Sequence, residues 1–242
     1  MAQKAIRLAV HGAGGRVGSR VAALAATDAR FDLTARIFHR ASNETGGGEA
    51  FAAENLPAAL SRADVLIDFS TPDAALRALS AAAAAKKAAV VGTTGFSNVQ
   101  RAQIKALSSR IPIFISPNFS LGVAVLARLA RELGRLLPRY DAAIAEVHHK
   151  AKKDAPSGTA LRLAQAVREG RPDQSAVPIV SQRMGGVIGD HTLSFAGPYE
   201  RIDITHRAGS RALFALGALD AAFWLRRKKP GLYGMDDLLG AR

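Results

Sequence analysis

Two adjacent histidines followed closely by three lysines, His148, His149, Lys150, Lys152 and Lys153, lie in the run EVHHKAKKDAPSGTA from Glu146 to Ala160. Histidine changes protonation near neutral pH, whereas lysine carries a durable positive charge or, when desolvated, a proton to give away. Reducing a C=C or C=N bond needs hydride on one atom and a proton on its neighbour, and such side chains supply the proton. In extended chain, neighbouring side chains point to opposite faces, so His148 and His149 need not share a role. The run then reaches a helix start, Asp154-Ala155-Pro156-Ser157-Gly158-Thr159, whose first-turn N–H groups make a natural carboxylate site. Acid catalyst plus anion clamp is the reading of the whole segment. The histidine pair alone reads equally well as a surface or structural pair. Metal binding is a further alternative, but no carboxylate or cysteine at ligand spacing supports it, and no metal is expected.

A second constellation lies near the start, Gly12-Ala13-Gly14-Gly15-Arg16-Val17-Gly18, between an apolar run and apolar residues at helical spacing. Glycines there let the backbone turn tightly and approach a pyrophosphate, with helix N-terminal N–H groups presented to it. An acidic residue about 20 positions on would hold the ribose hydroxyls of NAD. The second apolar run instead ends Ile37-Phe38-His39-Arg40. Arg40, His39 and Arg16 could face a 2′-phosphate, which favours NADPH as the cofactor with NADH as an alternative; otherwise His39 and Arg40 are loop surface.

Elements must hold these groups in place. Ala5 to Val10, Phe31 to Phe38, Val65 to Phe69, Ala88 to Val91 and Ile111 to Ile115 read as strands, with helices over Asp73 to Lys87 and Ser97 to Ser109 between them. That alternation predicts a parallel sheet with helices on both faces. Asn43 to Gly48 and Ala50 to Asn55 read as a loop. Ser120 to Leu137 reads as a helix linking two domains, with Val123, Leu126, Leu129, Leu133 and Leu136 on one side. Beyond Pro138 the pattern predicts strands over Ala142 to Val147, Val177 to Arg183, His191 to Phe195 and Arg201 to His206, the last two antiparallel around Gly197-Pro198. Helices follow at Gly158 to Arg168 and at Ala212 to Leu225, the second packing back on the first domain. The expected architecture is α/β: a Rossmann-like dinucleotide-binding domain over 1–119 and 212–242, and a smaller α+β substrate-binding and oligomerisation domain over 120–211.

The bulk numbers fit a folded protein, with 48% apolar and 22% charged residues over 242 positions. The absence of cysteine excludes disulfides, thiolate zinc sites and cysteine nucleophiles. The opening MAQKAIRLAV meets the glycine loop after one short apolar run, too brief for a signal peptide or a membrane span, so a cytoplasmic location with no membrane partner is expected. A net charge of +13 calls for an anionic partner. A phosphorylated cofactor and an anionic substrate meet that need. Nucleic acid is a rival, but no aromatic residues interleave with the basic ones, and it is not expected as a partner. Arg226-Arg227-Lys228-Lys229 reads as a solvated helix end.

Several stretches together carry a family resemblance: GAGGRVG, Gly92-Thr93-Thr94-Gly95-Phe96, Ser116-Pro117-Asn118-Phe119-Ser120-Leu121-Gly122-Val123, EVHHKAKKDAPSGTA, Ile204-Thr205-His206 and Phe214-Ala215-Leu216-Gly217-Ala218. The chain resembles the 4-hydroxy-tetrahydrodipicolinate reductases, also called dihydrodipicolinate reductases, of the diaminopimelate route to lysine. The resemblance implies His148 as proton donor or acceptor, Lys152 as a second proton donor, His149 as a substrate contact, and Gly158 and Thr159 as binders of a substrate carboxylate. It also implies a nicotinamide lined by Gly92, Thr93, Thr94, Ser116, Pro117, Asn118 and Phe119. The adenosine side would meet Gly12 to Val17 and the end of the second strand. The implied reaction passes hydride to a cyclic imine-containing dicarboxylate with loss of water, in a homotetramer assembled through the smaller domain. Phe38 stands where many members carry an acid, which favours NADPH, and Ala124 replaces an asparagine common in the family.

Overall fold

The computed structural model describes residues 4–40, 47–173 and 175–240. The chain forms two compact units, residues 1–119 with 212–242, and residues 120–211. In chain order the first unit runs through β1 (Ile6–His11), α1 (Gly18–Ala25), β2 (Phe31–Phe38), β3 (Glu49–Ala52), a 3-10 turn (Ala53–Asn55), α2 (Leu56–Ser61), β4 (Val65–Asp68), α3 (Pro72–Ala84), β5 (Ala88–Val91), α4 (Asn98–Leu107) and β6 (Pro112–Ile115). The second unit follows with α5 (Leu121–Leu136), β7 (Asp141–His148), α6 (Gly158–Gly170), β8 (Ile179–Arg183), β9 (Asp190–Ala196) and β10 (Arg201–Arg207). The chain then returns to the first unit with α7 (Ala212–Leu225), β11 (Gly231–Tyr233) and α8 (Met235–Leu238).

The first unit is one parallel sheet in the order β11-β6-β5-β4-β1-β2-β3. Its central strands β4 and β5 are buried at every position, as strands covered on both faces must be, which is why they read as unbroken apolar runs. One face packs Leu60, Leu66, Leu79, Ile104 and Ile113 into a continuous core, to which α2, α3 and α4 contribute. On α4, Ser97 accepts from the Gln100 N–H at 3.2 Å and Gln100 Oε1 accepts from the Ser97 N–H at 2.9 Å, a reciprocal cap that starts the helix. The helix α7, apolar nearly all round, packs with α1 and with β5 and β6.

Two sequence expectations change here, and one short strand is new. The stretch read as a loop contributes a strand, because Glu49–Ala52 pairs parallel with Ala35–Phe38, although Asn43 to Gly46 lie outside the described residues. Its one-sided apolar content, EAFA, is what an edge strand needs and too little to show as a run. On α5, Leu129 and Leu136 are exposed, and the buried stripe is Val123, Ala124, Leu126, Ala127, Ala130 and Gly134. Small residues won because α6 packs close: a Cβ on Gly134 would lie 2.5 Å from the Val167 carbonyl oxygen. The edge strand β11, too short to register as a period, extends the sheet beyond β6.

The second unit is a four-stranded mixed sheet in the order β10-β9-β7-β8, with β7 and β9 antiparallel and β7 and β8 parallel. Leu126, Ile144, Leu163, Val167, Leu193 and Phe195 join α5 and α6 to one face of that sheet. β7 alternates, burying Ala142, Ile144, Glu146 and His148 while Asp141, Ala143 and Ala145 are exposed.

Candidate active site

The strand period decides which groups meet. Glu146 and His148 stand two residues apart on β7 and so share its buried face. Register then places Glu146 opposite Ser181 of β8 and His191 of β9, and His191 opposite His206 of β10. Cross-strand partners share a face, so His206, His191, Glu146 and Ser181 form one row across the sheet.

Glu146 is fully buried, and its Oε1 accepts hydrogen bonds from the Ser157 N–H at 3.0 Å and the Ser181 hydroxyl at 2.7 Å. Its Oε2 lies 3.4 Å from His148 Nδ1 and 3.6 Å from His191 Nε2. Burial pushes this carboxyl up, but the hydrogen bonds from Ser157 and Ser181, with His148 nearby, outweigh burial and hold it below the ordinary range. For His148 burial wins over the attraction of Glu146, and with Lys152 and Arg183 adding repulsion its pKa falls below the usual imidazole value. His191, more deeply buried and beside His148, is pushed down to about 4 and is neutral at pH 7.

The other sequence candidates surround this group. His149 has left the strand and is half-buried, and its carbonyl accepts from the Lys152 N–H at 3.0 Å. Lys152 Nζ pairs with both oxygens of Asp154 at 2.9 Å. Ser157 caps α6 by accepting from the Ala160 N–H at 3.1 Å, which leaves Gly158 and Thr159 in the first turn, Gly158 exposed. A Cβ on Gly158 would meet nothing within 4 Å. The peptide bond between Ala155 and Pro156 is cis.

Arg183, which the sequence reading passed over, stands opposite His148 in the β7–β8 register. It donates to the Lys152 carbonyl at 3.2 Å and to the Asp154 carbonyl, pinning the loop that carries both residues. Glu146 and His191 were missed as well. Glu146 was signalled by the period-two face of β7 and His191 by the alternation of β9, but each needed its pairing partner to become specific.

Ligand-type atoms of Glu146, His148 and His191 lie within 4.8 Å of one another, a spacing that by distance alone would suit a divalent cation. The expectation that no carboxylate accompanies the histidines is therefore corrected: the alternation of β7 brings Glu146 beneath His148. Arg183 Nη1 lies 3.6 Å from Glu146 Oε1, and Lys152 and Arg183 both disfavour positive charge at His148, which opposes a metal ion there.

In the first unit, the glycine turn follows β1 as expected. Gly12 has φ +76°, and a Cβ there would sit 2.3 Å from the Phe69 carbonyl oxygen, so only glycine fits. Gly12 and Ala13 both donate to the Ile37 carbonyl, at 3.0 and 3.2 Å, and Gly15 donates to that of Gly12 at 2.9 Å. A cavity of about 340 Å³ opens beside this turn, lined by Gly12, Gly14, Gly15, Phe38, His39 and Arg77, among others. Arg16 is exposed and Val17 half-buried at the start of α1, which is the turn a pyrophosphate would approach. Exposed Arg40 is not among the lining residues, whereas exposed Arg77 of α3 is, a cation that only the fold brings next to His39.

The segment Gly92, Thr93, Thr94 follows β5, with the Gly92 N–H donating to the Asp68 carbonyl at 2.8 Å. Gly92 has no room for a side chain, since a Cβ would lie 2.0 Å from the Phe69 ring. Thr93 is buried and Thr94 exposed. After β6, Ser116 accepts from the Asn118 N–H at 3.3 Å and donates to the Asn118 carbonyl at 2.6 Å, closing a turn over exposed Pro117. Phe119 is buried, its ring 5.6 Å from Phe69 and 5.8 Å from Phe114. Its side chain therefore serves packing.

These two sets of residues coincide with matches along almost the whole chain. Residues 6–119 match the family described as dihydrodipicolinate reductase, N-terminus, and residues 122–239 the one described as dihydrodipicolinate reductase, C-terminus. The chain belongs to the dihydrodipicolinate reductase family. Among its relatives, the 4-hydroxy-tetrahydrodipicolinate reductase of Thiobacillus denitrificans is 40% identical over 98% of this chain and 99% of its own length. That of Aquifex aeolicus is 40% identical over 97% and 99%. A dipicolinate-bound dihydrodipicolinate reductase from Paenisporosarcina sp. TG-14 superposes with a TM-score of 0.84 at 24% identity, covering 97% of this chain and 99% of that one, and shares its fold. Like its relatives, this dihydrodipicolinate reductase family member combines a Rossmann-like parallel sheet with a second, smaller mixed sheet. None of the helices among the described residues is long and apolar enough to cross a membrane.

Proposed function

We propose that the chain reduces 4-hydroxy-tetrahydrodipicolinate to tetrahydrodipicolinate in the diaminopimelate route to lysine, using NADPH in preference to NADH. The observation that carries this reading is the buried His148 at the end of β7, four residues before Lys152 and ten before Gly158, where α6 starts. The nicotinamide, when bound, supplies hydride to the substrate ring. One hydride and one proton enter, the 4-hydroxyl leaves as water, and the oxidised nicotinamide remains, so atoms and charge balance.

The chain's own residues do the rest. His148 and Lys152 handle the proton. A lowered histidine pKa makes the protonated form a readier acid, and Glu146 offsets part of the cost of burying its charge. His149 contacts the substrate, and the Gly158-Thr159 turn takes a substrate carboxylate on first-turn N–H groups aligned with the helix dipole. Charge-assisted hydrogen bonds of this kind contribute roughly 1.5–3 kcal/mol each. A metal is not part of this reading, since Arg183 Nη1 lies 3.6 Å from Glu146 Oε1 and both Arg183 and Lys152 already repel positive charge at His148.

NADPH is favoured because the cavity beside the glycine turn offers His39 and Arg77 and has Phe38 at the strand end where an acid would hold free ribose hydroxyls. Gly12, Gly14 and Gly15 line the cavity ahead of α1, where a pyrophosphate would lie, and side chains at Gly12 and Gly18 would collide with backbone at 2.3 and 2.1 Å and deform that turn. The surplus of 13 positive charges suits a phosphorylated cofactor and a dicarboxylate in the cytoplasm. Association into a homotetramer through residues 120–211 is part of the same reading, supported by exposed Ala143, Ala145 and Val180 on the outer face of the mixed sheet. Light scattering then gives four times the 25.4 kDa chain mass.

Freshly generated 4-hydroxy-tetrahydrodipicolinate, followed by loss of nicotinamide absorbance with NADPH and NADH in parallel, tests the reading. Turnover with both and a higher kcat/KM for NADPH is expected. No substrate-dependent oxidation of either overturns it.

A further inference from the structure

We infer that Glu146 is a positioning residue: it fixes the Nδ1–H tautomer of His148, turns Nε2 to the reaction, and anchors the carboxylate-binding start of α6 on the same side chain. The inference rests on His148 transferring the proton, as proposed above. Its structural ground is the unequal use of the two carboxylate oxygens. Oε1 is saturated by the Ser157 N–H and the Ser181 hydroxyl, at 3.0 and 2.7 Å. Oε2 is buried and receives no hydrogen bond, and His148 Nδ1, 3.4 Å away, is likewise buried with no partner of good geometry. A buried acceptor and a buried imidazole nitrogen left facing each other are costly unless a proton lies between them. Only a small rotation of the ring is needed to close that bond. A carboxylate can only accept, so the proton must be on Nδ1, which leaves Nε2 as the nitrogen that gains and loses the reacting proton.

Ser157 links this to substrate binding. Its N–H is held by Glu146 and its hydroxyl oxygen caps α6, so the first turn and the imidazole are registered to one carboxylate. Charged or titratable groups facing His148 are Glu146 on its own strand, Arg183 on β8, His191 on β9, and Lys152 and Asp154 on the following loop, with His206 of β10 next to His191. His191 sits 3.2 Å from Ser157 Oγ, bracing the same turn from the other side.

Glu146→Gln separates the roles. Two donors still converge at the Oε1 position, so the amide oxygen must take it, and the amide NH2 falls at the Oε2 position, facing His148 Nδ1. Nδ1 must then accept, and the neutral ring switches to the Nε2–H tautomer. Nitrogen-15 NMR of histidine-labelled protein is expected to show His148 as Nδ1–H in the wild type and Nε2–H in Glu146→Gln. The variant should lose about 10²-fold or more in kcat, with KM for the dicarboxylate little changed because the Ser157 contact survives. Its pH profile should move the limb requiring protonated His148 to lower pH. Glu146→Ala, which loses the anchor too, should also raise KM.

Wild-type His148 found as the Nε2–H tautomer overturns the inference without recourse to any variant. So does a Glu146→Gln enzyme with wild-type kcat and pH profile, even if its melting temperature drops, since that would leave Glu146 a purely structural role. A wild-type protein inactive on the substrate would instead sink the functional reading itself.

Discussion

Thr93 donates its hydroxyl to the buried carboxylate of Asp68 at 2.6 Å, tying the loop after β5 to the end of β4. The other oxygen of Asp68 is held by His11 Nδ1 at 2.7 Å and by the Ser70 hydroxyl at 2.6 Å, and the Ser70 N–H donates to Thr93 Oγ1 at 2.9 Å. The carboxyl ends of three adjacent parallel strands, where α/β sheets bind nucleotides, are thus locked by one acid. Thr93→Val keeps the shape but leaves the Asp68 oxygen and the Ser70 N–H without their partner. Urea unfolding should report a loss of about 1.5–3 kcal/mol, and the KM for either nicotinamide cofactor should rise. An unchanged midpoint and KM would show the network to be dispensable.

Cofactor choice should follow the cavity and not the chain order. Arg77→Ala is expected to raise KM for NADPH by about tenfold, the loss of one charge-assisted hydrogen bond, while leaving NADH nearly untouched. Arg40→Ala, outside the lining, should have the smaller effect on the NADPH-to-NADH ratio. Equal changes with both cofactors for Arg77→Ala would place the 2′-phosphate elsewhere.

How much of this was legible in the sequence depends on range. The glycine turn, the parallel strands and the α6 start are local, set by apolar runs, helical periods and caps, and the sequence reading locates them within a few residues. His148 stands out in the sequence as a residue type, but its setting does not. Glu146 is only two residues away, yet it gains meaning when β7 is known to run through His148 with one face buried, and Ser181 and His191 reach it by strand pairing across 35 and 45 positions of chain. Arg77 was hidden for the same reason, since it shares a cavity with Phe38 only once the sheet has formed. The stripe on α5 was misread because a leucine period predicts which side is apolar, not which side a glycine-lined helix contact buries.

His191 gives a pH signature of stability. Its folded pKa of about 4 lies below the unfolded value near 6.5. At pH 7 it is neutral in both states and contributes no pH dependence. As pH falls below about 6.5 the unfolded chain takes up the proton first, so stability is lost progressively until about pH 4, by roughly 3 kcal/mol in all. Urea midpoints measured from pH 7 to 4 should fall less steeply in His191→Gln than in the wild type. Parallel slopes would show that His191 keeps an ordinary pKa in the fold.

Gly158→Ala isolates the anion clamp. The added methyl meets nothing in the chain, so the melting temperature should stay at or above the wild-type value, alanine being the better helix former. It would stand at the mouth of the first turn of α6, and KM for the dicarboxylate should rise with little change in KM for NADPH. A variant with unchanged substrate KM would move the carboxylate away from this turn.

If His148 transfers the proton that accompanies hydride, the chemical step must slow without it. The direct measurement is the single-turnover rate of NADPH oxidation by freshly generated 4-hydroxy-tetrahydrodipicolinate for wild type and His148→Gln, at saturating substrate. A rate lower by about 10²–10⁴-fold is expected in the variant, with cofactor binding intact. A His148→Gln enzyme as fast as wild type would contradict it.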